Sequence, residues 1–167
     1  MASTYTTSLL LDTQGTGDNS ATWGAVANVD FDLIDSAIAG MTSVSVTGGT
    51  DTLTDTSGAA NQARAAMLKF TGVLVSAETV VVPTRTKNYF VWNATSGAYT
   101  LTVKTTAGTG IIVPQGYVWF VICDGTNVIN GLSSAMLSVI TDTGGNELMK
   151  FTTTASAVNE ITVTNSA

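Results

Sequence analysis

The chain has 167 residues, with six Lys and Arg against twelve Asp and Glu, a net charge of −6, and no histidine. Phosphate recognition needs clustered Lys and Arg, so this balance argues against nucleic acid as a partner. The missing imidazole excludes His-based triads and metal sites. Charged residues make up only 11% of the chain, well below the usual quarter, so small neutral side chains must keep the surface wet. Threonine is the commonest residue, a composition that suits an extracellular or virion β protein.

The opening "MASTYTTSLLLDT" lacks a positive n-region, its apolar run is too short for a signal peptide, and no later run approaches a membrane span. Synthesis in a host cytoplasm without membrane insertion is expected.

Residues 1–41 hold the one convincing helix. In "TWGAVANVDFDLIDSAIAGM" the residues Val26, Val29, Leu33, Ile34, Ala37, Ile38 and Met41 recur at three- and four-residue steps, as on an amphipathic helix. Gly40 is expected to close it. Asp30, Asp32 and Asp35 fall in its first half, where acidic groups favour the helix dipole. The preceding "DTQGTGDNSATWG" reads as an ordered loop anchored by Trp23.

Residues 42–132 alternate in the two-residue period of strands, broken by turn residues. Eight or nine strands are read there, from "TSVSVT" through "AMLKFTG", "ETVVVP", "NYFVWN", "YTLTVKT" and "YVWFVICD" to "NVING". That number fits a β-sandwich with a jelly-roll-like topology. Pro83 and Pro114 sit at strand ends. Asp124 and Gly125 in "CDGTN" mark a tight hairpin. Residues 59–66 are alanine-rich, so helix and irregular structure both stay open there. Cys123, the single cysteine, lies in an apolar run and is expected to be a buried thiol.

Residues 133–167 contain a faint repeat, "NELMKFTT" returning as "NEITVTNS". Two such strands bury too little to stand alone. The closing strand, in which Ile161 and Val163 alternate with threonines, is left needing a partner for its edge.

Chemistry-bearing residues are sparse. Glu147 and Glu160 are the candidates for a glycosidase pair, but each follows Asn at a strand start, where a solvated turn explains it. Asp30, Asp32 and Asp35 lack the glycine and terminal Glu of a calcium loop. "GGTDTLTD" and "TAGTGI" lack the Lys-Ser/Thr of a phosphate loop. "NAT" at residues 93–95 matches a glycosylation acceptor that arises by chance in a threonine-rich chain. Trp92, Tyr99, Tyr117 and Trp119 fit either a sugar-stacking face or a core. No catalytic residue, metal or cofactor is expected.

Three stretches carry a family resemblance. "TGDNSATWGAVANVDFDLIDSAIAG" resembles a recurrent opening of bacteriophage tail-fibre and minor structural proteins, in which a motif ending in Thr-Trp-Gly precedes a helix. The block "VVVPTRTKNYFVWNATSGAYTLTVKTTAGTGIIVPQGYVWFVICDGTNVIN" looks like the β domain that follows it. "GNELMKFTTTASAVNEITVTNSA" is similar to shaft-like modules of longer fibres. The resemblance implies a non-enzymatic virion protein, a homotrimer built from an N-terminal attachment arm and helix (1–41), a β-sandwich domain (42–132) and an intertwined shaft-like β module (133–167). It places particle attachment at Trp23, Val26, Phe31, Leu33 and Ile34. The trimer interface is expected at Leu148, Phe151, Val158, Ile161 and Val163. Partners would be other virion proteins of tail or capsid. A capsid-surface decoration protein and a host-glycan binding module are the alternatives.

Overall fold

A computed structural model describes residues 4–132 and, of the remainder, the three strands Val139–Thr141, Glu147–Thr152 and Glu160–Thr162. The described residues are mainly β with one α-helix, and the chain divides into two compact units, Met1–Gly131 and Leu132–Ala167. The N-terminal arm and helix therefore belong to the same unit as the β region.

The first unit begins with a small hairpin, β1 (Thr4–Tyr5) and β2 (Asp12–Thr13), followed by helix α1 (Trp23–Ala39). Strands β3 (Met41–Ser45) and β4 (Gly49–Thr52) come next, then a 3-10 turn at Gln62–Arg64. The sequence then runs through β5 (Met67–Val73), β6 (Glu78–Val82), β7 (Thr86–Ser96) and β8 (Leu101–Thr105). It ends with β9 (Gly110–Val113), β10 (Val118–Asp124) and β11 (Val128–Asn130).

The strand pairing departs from a jelly roll. A jelly roll joins antiparallel neighbours, whereas here the chain alternates between two sheets and lays β3, β5 and β7 parallel in one, β4, β6 and β8 parallel in the other. Parallel neighbours need a long crossover, and the strand of the opposite sheet supplies it. From Met67 to Phe90 and from Glu78 to Leu101 the offset is 23 positions in each sheet, so β5–β6 and β7–β8 are successive turns of one coil. Antiparallel strands finish both sheets: β9 on β8, and β10 then β11 on β7. The orders are β11-β10-β7-β5-β3 and β4-β6-β8-β9.

Strand alternation turns every second side chain inward. Leu68 and Phe70 of β5, Val80 and Val82 of β6, Val91 of β7, Leu101 and Val103 of β8, and Val121 and Cys123 of β10 form one core shared by the two sheets. Full burial of each such side chain contributes roughly 1.5–3 kcal/mol before entropy is counted. Asn93 takes an inward place in this core. Its Nδ2 donates to the Val113 carbonyl at 2.8 Å, and its Oδ1 accepts from the Thr95 hydroxyl at 2.6 Å. The "NAT" site is thus sealed inside the fold by its own hydrogen bonds.

Gly40 does close α1, but through close approach rather than left-handed backbone. Its φ is −71°, and a Cβ there would lie 2.6 Å from the Ser36 carbonyl. The N–H groups of Ala66 and Met67 then bond to the carbonyls of Ser36 and Gly40 at 3.0 Å, which ties the end of the helix to the start of β5. No acidic residue stands in the first helical turn, so Asp30, Asp32 and Asp35 lie past the reach of the dipole. Asp30 instead fixes β2 to the helix, its Oδ1 accepting the Asp12 N–H at 3.0 Å.

The alanine-rich stretch forms only the short turn at Gln62–Arg64. The hairpin at Asp124 and Gly125 forms as its sequence implies. Gly125 has φ 95°, and Asp124 Oδ1 accepts the N–H groups of Thr126 and Asn127 at 2.8 and 2.7 Å. Those bonds hold the Asp124 carboxyl below its usual range.

In the second unit β12 (Val139–Thr141), β13 (Glu147–Thr152) and β14 (Glu160–Thr162) form an antiparallel sheet in that order. The two halves of the repeat are neighbours, Phe151 opposite Ile161. The closing strand therefore pairs on one side within its own chain and, among the described residues, stands at the margin of the sheet.

Candidate functional site

The residues marked for attachment all lie on α1, and the structure separates them. Leu33 is buried, 2% exposed, so it packs inside the fold and presents nothing to a partner. Val26 is half-buried on the same inner side of the helix. Trp23 and Phe31 are 67% and 65% exposed; Trp23 is thus no anchor for the loop before it. That loop is ordered by polar bonds instead. Gln14 Nε2 donates to Asp12, Asn19 Nδ2 donates to Gln14 at 2.8 Å, and the Gly15 N–H donates to Asp18.

A helix with 3.6 residues per turn carries two stripes here. The inner one contains Val26, Leu33 and Ala37. The outer one runs Trp23, Ala27, Phe31, Ile34 and Ile38, at steps of four, four, three and four residues, with Trp23, Phe31 and Ile38 exposed and Ala27 and Ile34 half-buried at its border with the inner stripe. Ile38 is the most exposed of these at 73%, yet a reading of one amphipathic face turns it inward with Leu33. The signal was in the spacing: too many apolar positions for one stripe. Such three-four spacing is the pattern by which helices pack knobs into holes.

A cluster of cations holds the segment between β1 and β2 that precedes this helix. Arg64, Arg85 and Lys87, half of the chain's basic residues, line a cavity of about 20 Å³ with Asp55, Leu10 and Tyr89. The buried Arg64 donates from Nε to the Ala59 carbonyl at 3.0 Å, from Nη2 to the Thr56 carbonyl at 3.1 Å, and from Nη1 to the Leu9 carbonyl. Arg85 pairs with Asp55 and donates to the Thr7 carbonyl at 3.1 Å. The Gly58 N–H donates to the Leu10 carbonyl at 2.9 Å. Leu10 is itself buried with a positive φ of 52°, a backbone that a leucine holds only when its surroundings dictate it. Together these donors latch residues 7–10 onto the coil.

Electrostatics in the cluster follow burial. Burial lowers the Arg64 pKa, with Asp55 and Asp30 opposing. Burial, reinforced by the Arg64 charge, pushes the Lys87 ammonium down to about 8, while its Nζ donates to the Ala65 carbonyl at 3.2 Å. Burial raises the Tyr89 hydroxyl. The three cations donate to backbone carbonyls and one carboxylate, an arrangement that positions chain.

Other candidates are scattered. Trp92 faces outward on β7 under the Lys69 ammonium, 4.2 Å from the ring centroid, whereas Trp119 packs against the core. Tyr99 and Tyr117 are exposed in the loops before β8 and β10. Glu147 and Glu160 start adjacent antiparallel strands, and Glu160 stands opposite Thr152. Five residues of strand put their backbones about 17 Å apart, beyond the usual spacing of a glycosidase pair. Among the described residues, no three of His, Cys, Asp and Glu group closely enough to hold a metal ion. Of the expected trimer-interface residues, Val158 and Val163 lie outside the described residues, Phe151 and Ile161 are described by backbone register, and Leu148 only by its place in β13, where the pairing with β12 shifts register.

The chain matches no protein-family model, no curated protein and no solved structure.

Proposed function

We propose that the chain is a virion structural protein: the particle-proximal part of a homotrimeric bacteriophage tail fibre, fixed to the particle by its N-terminal segment and projecting toward the host surface. The outer stripe of α1 carries this reading. Its exposed Trp23, Phe31 and Ile38 offer a neighbouring protein an apolar helix face, and the bonds of Asp30 to β2 and of Ser36 and Gly40 to the start of β5 fix the helix to the coil. Buried aromatic anchors are the residues that dominate protein interfaces.

Immunogold electron microscopy on particles of the encoding virus tests the reading, with an antibody against the first unit. Labelling at the tail is the expected result, and labelling over the capsid would establish the decoration alternative instead. Purified particles that lack the protein by mass spectrometry would overturn both. Replacing Trp23 and Phe31 together by lysine is expected to lower the protein's abundance in particles at least about tenfold while leaving its circular dichroism unchanged, in line with the loss of two interface anchors.

A further inference from the structure

The cation cluster behind residues 7–10 holds more charge and more donors than the latch uses. Arg64 comes from the 3-10 turn, Arg85 from the corner between β6 and β7, and Lys87 and Tyr89 from one face of β7. All four line the same cavity of about 20 Å³, and the one carboxylate on its wall is Asp55. Three positive charges therefore face one negative charge across it, while Asp30, which also favours the charged form of Arg64, stands off the wall.

The donors are in excess as well. A guanidinium carries five N–H groups and an ammonium three. Arg64 uses three of its five on the carbonyls of Ala59, Thr56 and Leu9. Arg85 uses two, on Asp55 and the Thr7 carbonyl, and Lys87 uses one, on the Ala65 carbonyl. Burial opposes ionisation of the Tyr89 hydroxyl, so it too remains a donor. Arg64 and Tyr89 are 4% and 2% exposed, which shields these groups from the bulk water that would otherwise compensate them.

We propose that the cavity binds one small monovalent anion, a halide such as chloride, which completes the latch on residues 7–10. Size and charge together select it. About 10–15 Å³ of such space accommodates one water-sized occupant, so the cavity admits a single small ion and not a sulfate, a phosphate or a peptide carboxylate. A water molecule would accept from the free donors but leave the positive excess in place, in surroundings where like charges repel more strongly than in solvent. That excess is felt at Lys87, whose ammonium is pushed down to about 8 by burial and then by the Arg64 charge. An anion beside it offsets both causes. The inference stands apart from the virion reading and uses none of its residues.

Urea unfolding of the full chain at constant ionic strength tests it, with sodium gluconate replaced stepwise by sodium chloride. A ligand held only by the folded state raises the midpoint with the logarithm of its concentration, once that exceeds the dissociation constant. The wild type is expected to show this rise. Lys87→Met keeps the apolar stem and removes the charge, and it is expected to weaken chloride binding at least about tenfold. Tyr89→Phe, which removes one neutral donor, is expected to weaken it about threefold to tenfold. Lys104→Met on β8, off the cavity wall, changes net charge equally and is expected to respond as the wild type does, which separates the site from general salt effects. Crystals soaked in bromide are expected to show an anomalous peak in the cavity beside Arg64 and Lys87. A wild-type midpoint that follows chloride no more steeply than that of Lys87→Met overturns the inference, as does a cavity that holds water in the bromide crystals. If Lys87→Met does not fold, Tyr89→Phe and the bromide peak decide the matter.

Discussion

The two sheets of the first unit are built by the same winding chain and share one core, yet they turn different chemistries outward. On the four-stranded sheet the register aligns Thr50, Thr79 and Thr102 across β4, β6 and β8 with a single apolar residue, Ile112, on β9, and Val81 beside Lys104 one row on. On the five-stranded sheet the corresponding outward rows carry Met41, Met67, Phe90 and Phe120. The inward residues, Leu68, Phe70 and Val91 against Val80, Val82, Leu101 and Val103, are of one kind in both. Folding therefore constrains the inside of the coil and leaves the outside open to other demands. Threonine meets the demand for a wet, β-compatible surface. A row of Met and Phe has no such use in water, and a contiguous apolar patch on a sheet marks contact.

The strongest way to break that contrast is to make one substitution on both sides of a single sheet. Phe70 on β5 is fully buried, whereas Phe90 on β7 is 47% exposed. Phe70→Ala is expected to destabilise the first unit by about 3–5 kcal/mol, through lost transfer energy and the cavity left behind. Phe90→Ala, measured dilute so that association does not contribute, is expected to cost about 1 kcal/mol, chiefly the contact with Phe120. Urea unfolding of the full chain measures both. Equal losses would mean that the outward row is part of the fold's own core.

Next in size is the latch. Arg64→Ala removes the donors to the Ala59, Thr56 and Leu9 carbonyls, and it is expected to cost about 2–3 kcal/mol for hydrogen bonds from a charged group. Hydrogen exchange should locate the loss. Amides of the hairpin β1–β2 and the N-terminal turns of α1 are expected to lose protection first, those of β7 last. Uniform loss would show that the arm and the coil are one cooperative element.

How legible was this in the sequence? The helix was, because three- and four-residue spacing and Gly40 bound it to within two residues of Trp23–Ala39, although the expected stripe included the exposed Val29 and Ile38 and ran on to Met41, which starts β3. Most strands were too, since alternation reports which side chain faces in. What alternation does not report is the neighbour. Val80 reads the same beside an antiparallel strand as beside Val103, its parallel partner one coil later. The 23-residue repeat went unseen because it conserves only position: Phe70 returns as Asn93, Glu78 as Leu101. The cation cluster was invisible for a similar reason. Arg64, Arg85 and Lys87 are scattered in sequence, and their acceptors are backbone carbonyls that no side-chain pattern announces.

The interiors of the two sheets also differ at a finer scale, in how the buried Asn93 and Glu78 are satisfied. Asn93 in the five-stranded sheet finds partners for both ends of its amide. Glu78, fully buried at the start of β6, is less well satisfied: Oε2 accepts the Gly48 N–H at 3.0 Å, while Oε1 has no partner within hydrogen-bond distance. Burial, with the Asp51 carboxylate next in importance, raises its pKa above the ordinary 4.5. The sign follows from linkage. A group whose pKa is raised on folding stabilises the fold fully below its unfolded pKa, and that contribution is lost as pH climbs through the folded value. Stability of the wild type should therefore carry a downward component from about pH 4.5 toward neutrality. Glu78→Gln keeps the acceptor for Gly48 and cannot ionise, so the component should vanish. The variant is expected to match the wild type near pH 4 and to exceed it by about 1 kcal/mol near pH 7, the scale of one poorly satisfied buried group. Urea midpoints recorded across that range give the answer. Parallel curves would mean that Glu78 is already neutral throughout, its proton shared toward Asp51, and the two interiors would then be equally well satisfied.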